Sequence, residues 1–230
     1  MHAMLGPKSL AIKPNPPSRG AVSLSDEAYQ MLEEKIITME LAPGVMFSET
    51  DLASLIGLGR TPVREALQRL AHEHLVEIVA RRGIRIAPMD LKQHIRLNEV
   101  RRELETLAAS LAARRASTAQ RTKLNTLANA FRKSGSRDYL TFLRLDREFN
   151  TLVGAACDNP YLSDMLYTLH GLSRRHWHAH PEREEDLVLV AGMHAGIADA
   201  IAAKNDASIR KAVCRHMDYV RDLAMSAIGK

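Results

Sequence analysis

The sequence predicts a mainly α protein: an N-terminal winged helix-turn-helix followed by an antiparallel six-helix bundle. Three observations predict it. Ala and Leu are abundant while aromatic residues make up 4% of the chain, which favours helices over β architecture. Before Pro88, three capped helical segments lead into two short apolar runs joined by Arg81-Arg82-Gly83. After Pro88 every long segment has helical periodicity, and the breaks fall at capping or turn residues.

Taken in order, residues 1–22 hold Pro7, Pro14, Pro16 and Pro17 among Gly and Ser, which predicts a flexible arm. A first helix is expected over 25–40, capped by Ser25, with Ala28, Leu32, Ile36 and Met39 as its buried stripe. Ala42-Pro43-Gly44 ends it. Ser48-Glu49-Thr50-Asp51 has the form of a capping box opening a second helix, Leu52 to Ile56. Gly57-Leu58-Gly59 then makes a tight turn. The third helix is expected to use Thr61 as cap and Pro62 as its first residue, where a missing N–H costs nothing. Val63, Ala66, Leu67 and Leu70 form its apolar stripe. Arg60, Thr61, Arg64 and Gln68 fall elsewhere on it. Arg can bridge guanine O6/N7 or clamp a phosphate, Gln can read adenine, and a helix N-terminus attracts phosphate. That is the build of a DNA recognition helix; the alternative is an amphipathic helix with solvated arginines. Residues 75–79 and 84–87 are expected strands of a β-wing. Its tip, Arg81, Arg82 and Gly83, can reach the adjacent minor groove or backbone. Helix, helix, turn, recognition helix and basic wing together are far more specific than any one of them.

The charge pattern agrees. The net charge of +5 is unevenly spread. Residues 25–59 carry seven acids against Lys35 alone, whereas residues 60–88 carry six arginines against three glutamates. A local basic surface suits contact with phosphate. Cys157 and Cys214 lie far apart and read as reduced thiols. No apolar run reaches membrane-spanning length and the N-terminus lacks a signal-peptide core, so a soluble cytoplasmic protein with no membrane partner is expected.

The run Leu52-Ala53, Gly59-Arg60-Thr61-Pro62-Val63-Arg64-Glu65-Ala66-Leu67, Leu70, Leu75-Val76 and Arg82-Gly83 resembles the N-terminal pattern of the GntR superfamily of bacterial transcription regulators. The resemblance implies that Arg60, Thr61 and Arg64 contact operator DNA and that Gly83 is the wing-tip glycine. The chain departs from the pattern at Gly59, where Ser or Thr is usual, at Thr50, where some members carry Arg, and at His74, which replaces a common glycine.

Pro88-Met89-Asp90 is the expected boundary between a DNA-binding head, 23–88, and a second domain, 89–230. Six helices are expected at 91–115, 118–133, 137–157, 160–179, 183–204 and 206–227, broken at Ser117-Thr118, Gly135-Ser136, Asn159-Pro160, Pro181 and Asn205-Asp206. Several polar residues lie on stripes that should be apolar. Asp146 and Asn150 join Tyr139, Phe142, Leu143, Phe149 and Val153. His194 joins Leu187, Ala191, Ala198 and Ile201, and His216 joins Ile209, Val213, Val220 and Leu223. A carboxylate and two imidazoles inside one bundle are costly unless paired or metal-bound. They suit Zn, Ni, Mn or Fe; the alternative is that each His bonds a backbone carbonyl. His176-Trp177-His178-Ala179-His180 reads as a helix end rather than a metal cluster.

The second half is similar to the FCD-type ligand-binding domain of the FadR branch, and six helices suit its VanR-like subgroup. The marks are Val100-Arg101-Arg102-Glu103-Leu104-Glu105, Leu111-Ala112-Ala113, Leu145-Asp146-Arg147-Glu148-Phe149-Asn150, His194 and His216. The resemblance implies a metal held by Asp146, His194 and His216, with Asn150 where a histidine is common. It also implies that Arg101 pairs with the carboxylate of a small organic acid; otherwise Arg101 bridges Glu105. The expected function is ligand-responsive regulation, as a repressor, by a homodimer on double-stranded operator DNA. Two alternatives stand beside it: a metal-dependent enzyme with a two-His, one-carboxylate centre, and an effector-blind architectural DNA binder.

Overall fold

A computed structural model describes residues 23–134, 139–179 and 186–228. The expected arm at 1–22, the breaks at Gly135-Ser136 and Pro181, and His180 lie outside the described residues. Tyr139 begins a described helix, but its side chain is likewise outside them.

The head is built from α1 (Leu24–Ile37), β1 (Met46–Phe47), α2 (Glu49–Ile56), α3 (Arg60–His72), β2 (Val76–Val79) and β3 (Gly83–Ile86). Its N-cap is Ser23, not Ser25. The Ser23 side chain accepts from the Asp26 amide, and α1 ends at Ile37, three residues before the expected limit, because Met39 turns to φ +64. The Ser48–Asp51 capping box is reciprocal, as expected, and Gly57 closes α2 in the left-handed conformation. The start of α3 differs from expectation. Gly59 is the N-cap with no side-chain bond, so Arg60, Thr61 and Pro62 occupy the first three helical positions. This lets Arg60 project from the exposed helix start. The stripes from all three helices, with Leu75, Val76, Ile84 and Ile86, close one hydrophobic core.

The sheet order is β1-β3-β2, antiparallel throughout. The two-residue β1, which periodicity cannot signal, pairs Met46 with Arg85 and Phe47 with Ile84. The wing turn is 80–82, and Gly83 already pairs with Val79 at the start of β3. Gly83 therefore stands behind the tip rather than at it. Its φ is +110, and a Cβ there would lie 2.5 Å from the Phe47 carbonyl oxygen. His74 also has positive φ, +61, at the turn into β2. A side chain is strained there, which fits the glycine that the family resemblance leads one to expect at the position. His74→Gly is expected to stabilise the head by roughly 0.5–1 kcal/mol, strain relief exceeding the added freedom of the unfolded chain. A lower thermal midpoint than wild type would contradict this.

The second unit comprises α4 (Leu91–Arg115), α5 (Thr118–Lys133), α6 (Tyr139–Cys157), α7 (Pro160–His178), α8 (Leu187–Ala202) and α9 (Asp206–Ile228). The caps Asp90, Ser117 and Asn159 hold the starts of α4, α5 and α7. The 25-residue α4, about 37 Å long, packs against α6, α7 and α9. Ala108, Ala109, Ala112 and Ala113 let its neighbours approach closely. The core runs from these alanines through Phe131, Phe142 and Phe149 to Ile197, Ile201 and Val213. Both cysteines are free thiols, Cys157 within this core. Among the described residues no helix is long and apolar enough to cross a membrane.

The two units meet along α1 and α7. Glu33 of α1 is buried, its carboxylate accepting from Tyr167 Oη at 3.0 Å and facing Arg174 Nη2 at 3.4 Å. Leu172 packs onto the head core.

Candidate functional site

The six arginines of 60–88 separate into two sets. Arg69 bonds Asp26 at 2.7 Å and lies 4.1 Å over the Tyr29 ring, tying α3 to α1. Arg85 pairs with Glu77 across the β2–β3 register. Those two are structural. Arg60, Arg64, Arg81 and Arg82 are exposed, as are Thr61 and Gln68. Val63, Ala66, Leu67 and Leu70 are buried on the opposite side of α3. Arg60, Arg64 and Gln68 recur every four residues and so share an outward face. Arg64 is preorganised: Nε lies 3.2 and 3.1 Å from the two Glu49 carboxylate oxygens, and Nη2 lies 2.8 Å from one of them. The guanidinium holds the Glu49 carboxyl below its ordinary range. Sequence reasoning missed Glu49 in this role. The sequence showed it only as a member of the capping box, whereas it is the first residue of α2.

In the bundle, α6, α8 and α9 do bring Asp146, Asn150, His194 and His216 together. Asp146 Oδ1 lies 3.1 Å from His194 Nε2 and accepts from Asn150 Nδ2 at 3.0 Å. The His194 and His216 rings meet edge to face with centroids 4.5 Å apart. His194 Nδ1 donates to the Val190 carbonyl at 2.9 Å. Its Nε2 therefore either carries a second proton toward Asp146 or offers a lone pair to a cation. Burial opposes the imidazolium, yet the Asp146 carboxylate outweighs it and raises the His194 pKa. Asp146, whose burial acts in the opposite sense, is held down to about 2 by His194. His216 is pulled down to about 3 by burial and by the neighbouring His194, so it is neutral at physiological pH. Its buried Nδ1 has no hydrogen-bond partner among the described residues. Among those residues, no group of three or more His, Cys, Asp or Glu stands in metal-holding geometry. The donor types nevertheless fit a divalent ion. One carboxylate and two imidazoles, one with an unsatisfied ring nitrogen, wall a cavity of about 30 Å³.

Arg101 lines the same cavity. Its Nε and Nη2 both donate to Glu105 Oε1, at 2.9 and 2.6 Å, and its Nη1 donates to Ser173 Oγ at 2.5 Å. His170 Nε2 lies 3.2 Å from the same carboxylate oxygen. The Glu105 bridge is thus present, and Ser173 and His170 are partners that sequence reasoning missed. A larger cavity of about 510 Å³, mainly apolar, adjoins this one and shares Asn150, His170 and Arg174 with it. On α7, which ends at His178, the His176 ring is buried against His94, centroids 3.9 Å apart.

Two family models match the chain: bacterial regulatory proteins, gntR family, over residues 24–86, and the FCD domain over residues 96–219. The chain belongs to the GntR family and carries an FCD domain. This GntR regulator is 23% identical over 212 residues to YdfH, an uncharacterized HTH-type transcriptional regulator of Escherichia coli O6:H1, spanning 92% of this chain and 90% of that one. It is 22% identical over 200 residues to the HTH-type transcriptional repressor RspR of Escherichia coli K12, spanning 86% and 88%. The solved structure of E. coli McbR/YncC has a TM-score of 0.78 at 21% identity, covering 90% of this chain and 100% of that one. At that identity the likeness bears on the fold alone. The GntR family and its relatives are transcriptional regulators, so the chain is a regulator and the reading as a metal-dependent enzyme is set aside.

Proposed function

We propose that this regulator is a repressor that binds double-stranded operator DNA as a homodimer, with residues 23–88 as the DNA-binding head and 89–230 as the effector-binding and dimerisation unit. It would work in the cytoplasm, where the DNA is. The observation that carries this reading is the outward face of α3. Arg60, Thr61, Arg64 and Gln68 stand exposed there while the opposite stripe is buried. Arg81 and Arg82 extend the contact from the wing. Gly83 serves it indirectly, by letting β1 support the hairpin. A two-fold operator needs recognition helices about 34 Å apart, which a dimer supplies. The repressor role is proposed from the relative RspR, and the six helices among the described residues of the second unit favour the VanR-like subgroup. Arg64→Ala is expected to lower affinity for a duplex selected from a random library by ~1–3 kcal/mol. An unchanged gel shift would count against the recognition helix.

The effector is proposed to be a small organic acid, seated in the 510 Å³ cavity with its carboxylate turned toward Arg101 and the histidines. Asp146, His194 and His216 would hold a divalent metal (Zn, Ni, Mn or Fe), with the amide oxygen of Asn150 as a weaker donor. Such an ion would supply a Lewis-acidic point for the acid's oxygen. His194→Ala combined with His216→Ala is expected to abolish bound metal by elemental analysis. Undiminished metal content in the double variant would remove this assignment. An effector-blind architectural binder would be favoured instead if no small acid changed melting temperature or operator affinity.

A further inference from the structure

A third cavity, of about 610 Å³, lies on the seam between head and bundle. β2 contributes Val76 and Ile78, the connection contributes Ala87–Asp90, α4 contributes His94 and Leu97, and α7 contributes Leu169, Leu172 and Arg175. None of its lining residues walls either bundle cavity. Its size lies within the range of small-molecule sites, roughly 300–1,000 Å³.

Arg175 is the unusual group here. It is 3% exposed. Its Nη2 donates to the Ala87 carbonyl at 2.6 Å, and its Nε has no hydrogen-bond partner among the described residues. None of its contacts there is a carboxylate. The contrast with its neighbour is direct, because Arg174 faces Glu33. Burial pulls the Arg175 pKa down to about 10, which leaves it cationic at neutral pH. A buried guanidinium without a counterion is costly, and an anion entering the cleft relieves that cost. Val76, Ile78, Leu97, Leu169 and Leu172 give the cleft an apolar wall beside its polar lining, and Ile78 remains 55% exposed. The stacked His94 and His176 rings add a flat surface. One guanidinium matches one carboxylate fork. Glu77, paired with Arg85, and Asp90 also line the cleft, and their repulsion grows with ligand charge, so a monoanion is favoured over polyanions such as phosphate esters.

We propose that this cleft is a second ligand site that takes a small monocarboxylate with an apolar body. The carboxylate sits on Arg175, and the hydrocarbon lies against Val76, Ile78, Leu97, Leu169 and Leu172. The site is separate from the effector cavity proposed above. Because Ala87 follows β3 directly and Val76 and Ile78 belong to β2, an occupant touches the base of the wing.

Isothermal titration of the full chain with octanoate, and with the uncharged octanamide, tests this. Octanoate is expected to bind, and octanamide about tenfold or more weakly, as loss of a charge-assisted bond predicts. Arg175→Met should weaken octanoate by about as much. Ile78→Trp, at an exposed β position, should fill the cleft and abolish binding while leaving Arg175 in place. It decides the matter should Arg175→Met fail to fold. Octanoate binding that survives both substitutions belongs to the bundle and overturns the proposal. Equal binding of octanamide, or no binding of octanoate at millimolar concentration, also overturns it.

Discussion

Gly83→Ala is expected to destabilise the head by about 3 kcal/mol or more, the combined cost of an excluded backbone conformation and a steric clash. At φ +110 the residue lies beyond even the left-handed region that side chains sometimes visit. The new Cβ would meet a backbone oxygen, that of Phe47, at 2.5 Å, and a carbonyl cannot rotate away as a flexible side chain could. Relief requires parting β1 from β3, which breaks the Phe47–Ile84 pairing and bends the strand leading into the Ser48 cap of α2. Urea denaturation followed by circular dichroism, with amide exchange of the β2–β3 hairpin, checks this. A midpoint equal to wild type would show that β1 contributes little. Because the defect sits behind the wing, DNA binding should fail together with folding, whereas substitutions at Arg81 or Arg82 should weaken binding in a folded head.

Arg101→Met is expected to cost the bundle ~3–5 kcal/mol, as breaking one side of a buried ion pair does. Glu105 would be left buried with His170 as its remaining polar neighbour. The pH dependence gives the prediction a sign. Burial by itself raises the Glu105 pKa, but Arg101 and then His170 outweigh it and hold the carboxyl below its ordinary range. A depressed carboxylate contributes stability that is present above its unfolded pKa, 4.5, and lost as pH falls through the folded value. Wild type should therefore weaken below about pH 4.5. In Arg101→Met burial dominates, the sign reverses, and the gap to wild type should narrow in acid. Adding Glu105→Leu should restore much of the loss at neutral pH. If the single variant is as stable as wild type at pH 7, the Arg101–Glu105 pair with its Ser173 and His170 contacts is not what holds α4 to α7.

Much of this was legible in the sequence because it rests on local rules. The Ser48 box and the breaks at Ser117-Thr118, Asn159-Pro160 and Asn205-Asp206 fall where α2, α5, α7 and α9 begin. The gathering of Asp146, His194 and His216 was legible too, since each interrupts an apolar stripe and inward stripes must converge. What escaped notice was tertiary. Ser23 and Ser25 are equivalent cap candidates until backbone geometry selects one. Gly59 caps α3 through backbone conformation alone, without the side-chain signal that pointed to Thr61. β1 is too short to alternate. The polar cluster of Glu105, His170 and Ser173 joins α4 to α7, and α7 is buried on several sides, so no stripe separated its functional residues from its packing ones. Arg174 and Arg175, adjacent in sequence, diverge by about 100° around the helix, one toward Glu33 and the other into the seam.

The forked grip of Glu49 on Arg64 has a bearing on how operator binding would discriminate among sequences. In the free head a carboxylate already occupies the place that a DNA phosphate would take on Arg64. Random duplex offers little beyond its backbone anions, so swapping one anion for another yields a small net gain, and loitering on the wrong sequence is discouraged. Only a groove that adds base edges for the liberated guanidinium tips the exchange. If Arg64 reads the operator as proposed, Glu49 would act as a built-in decoy that sharpens selectivity.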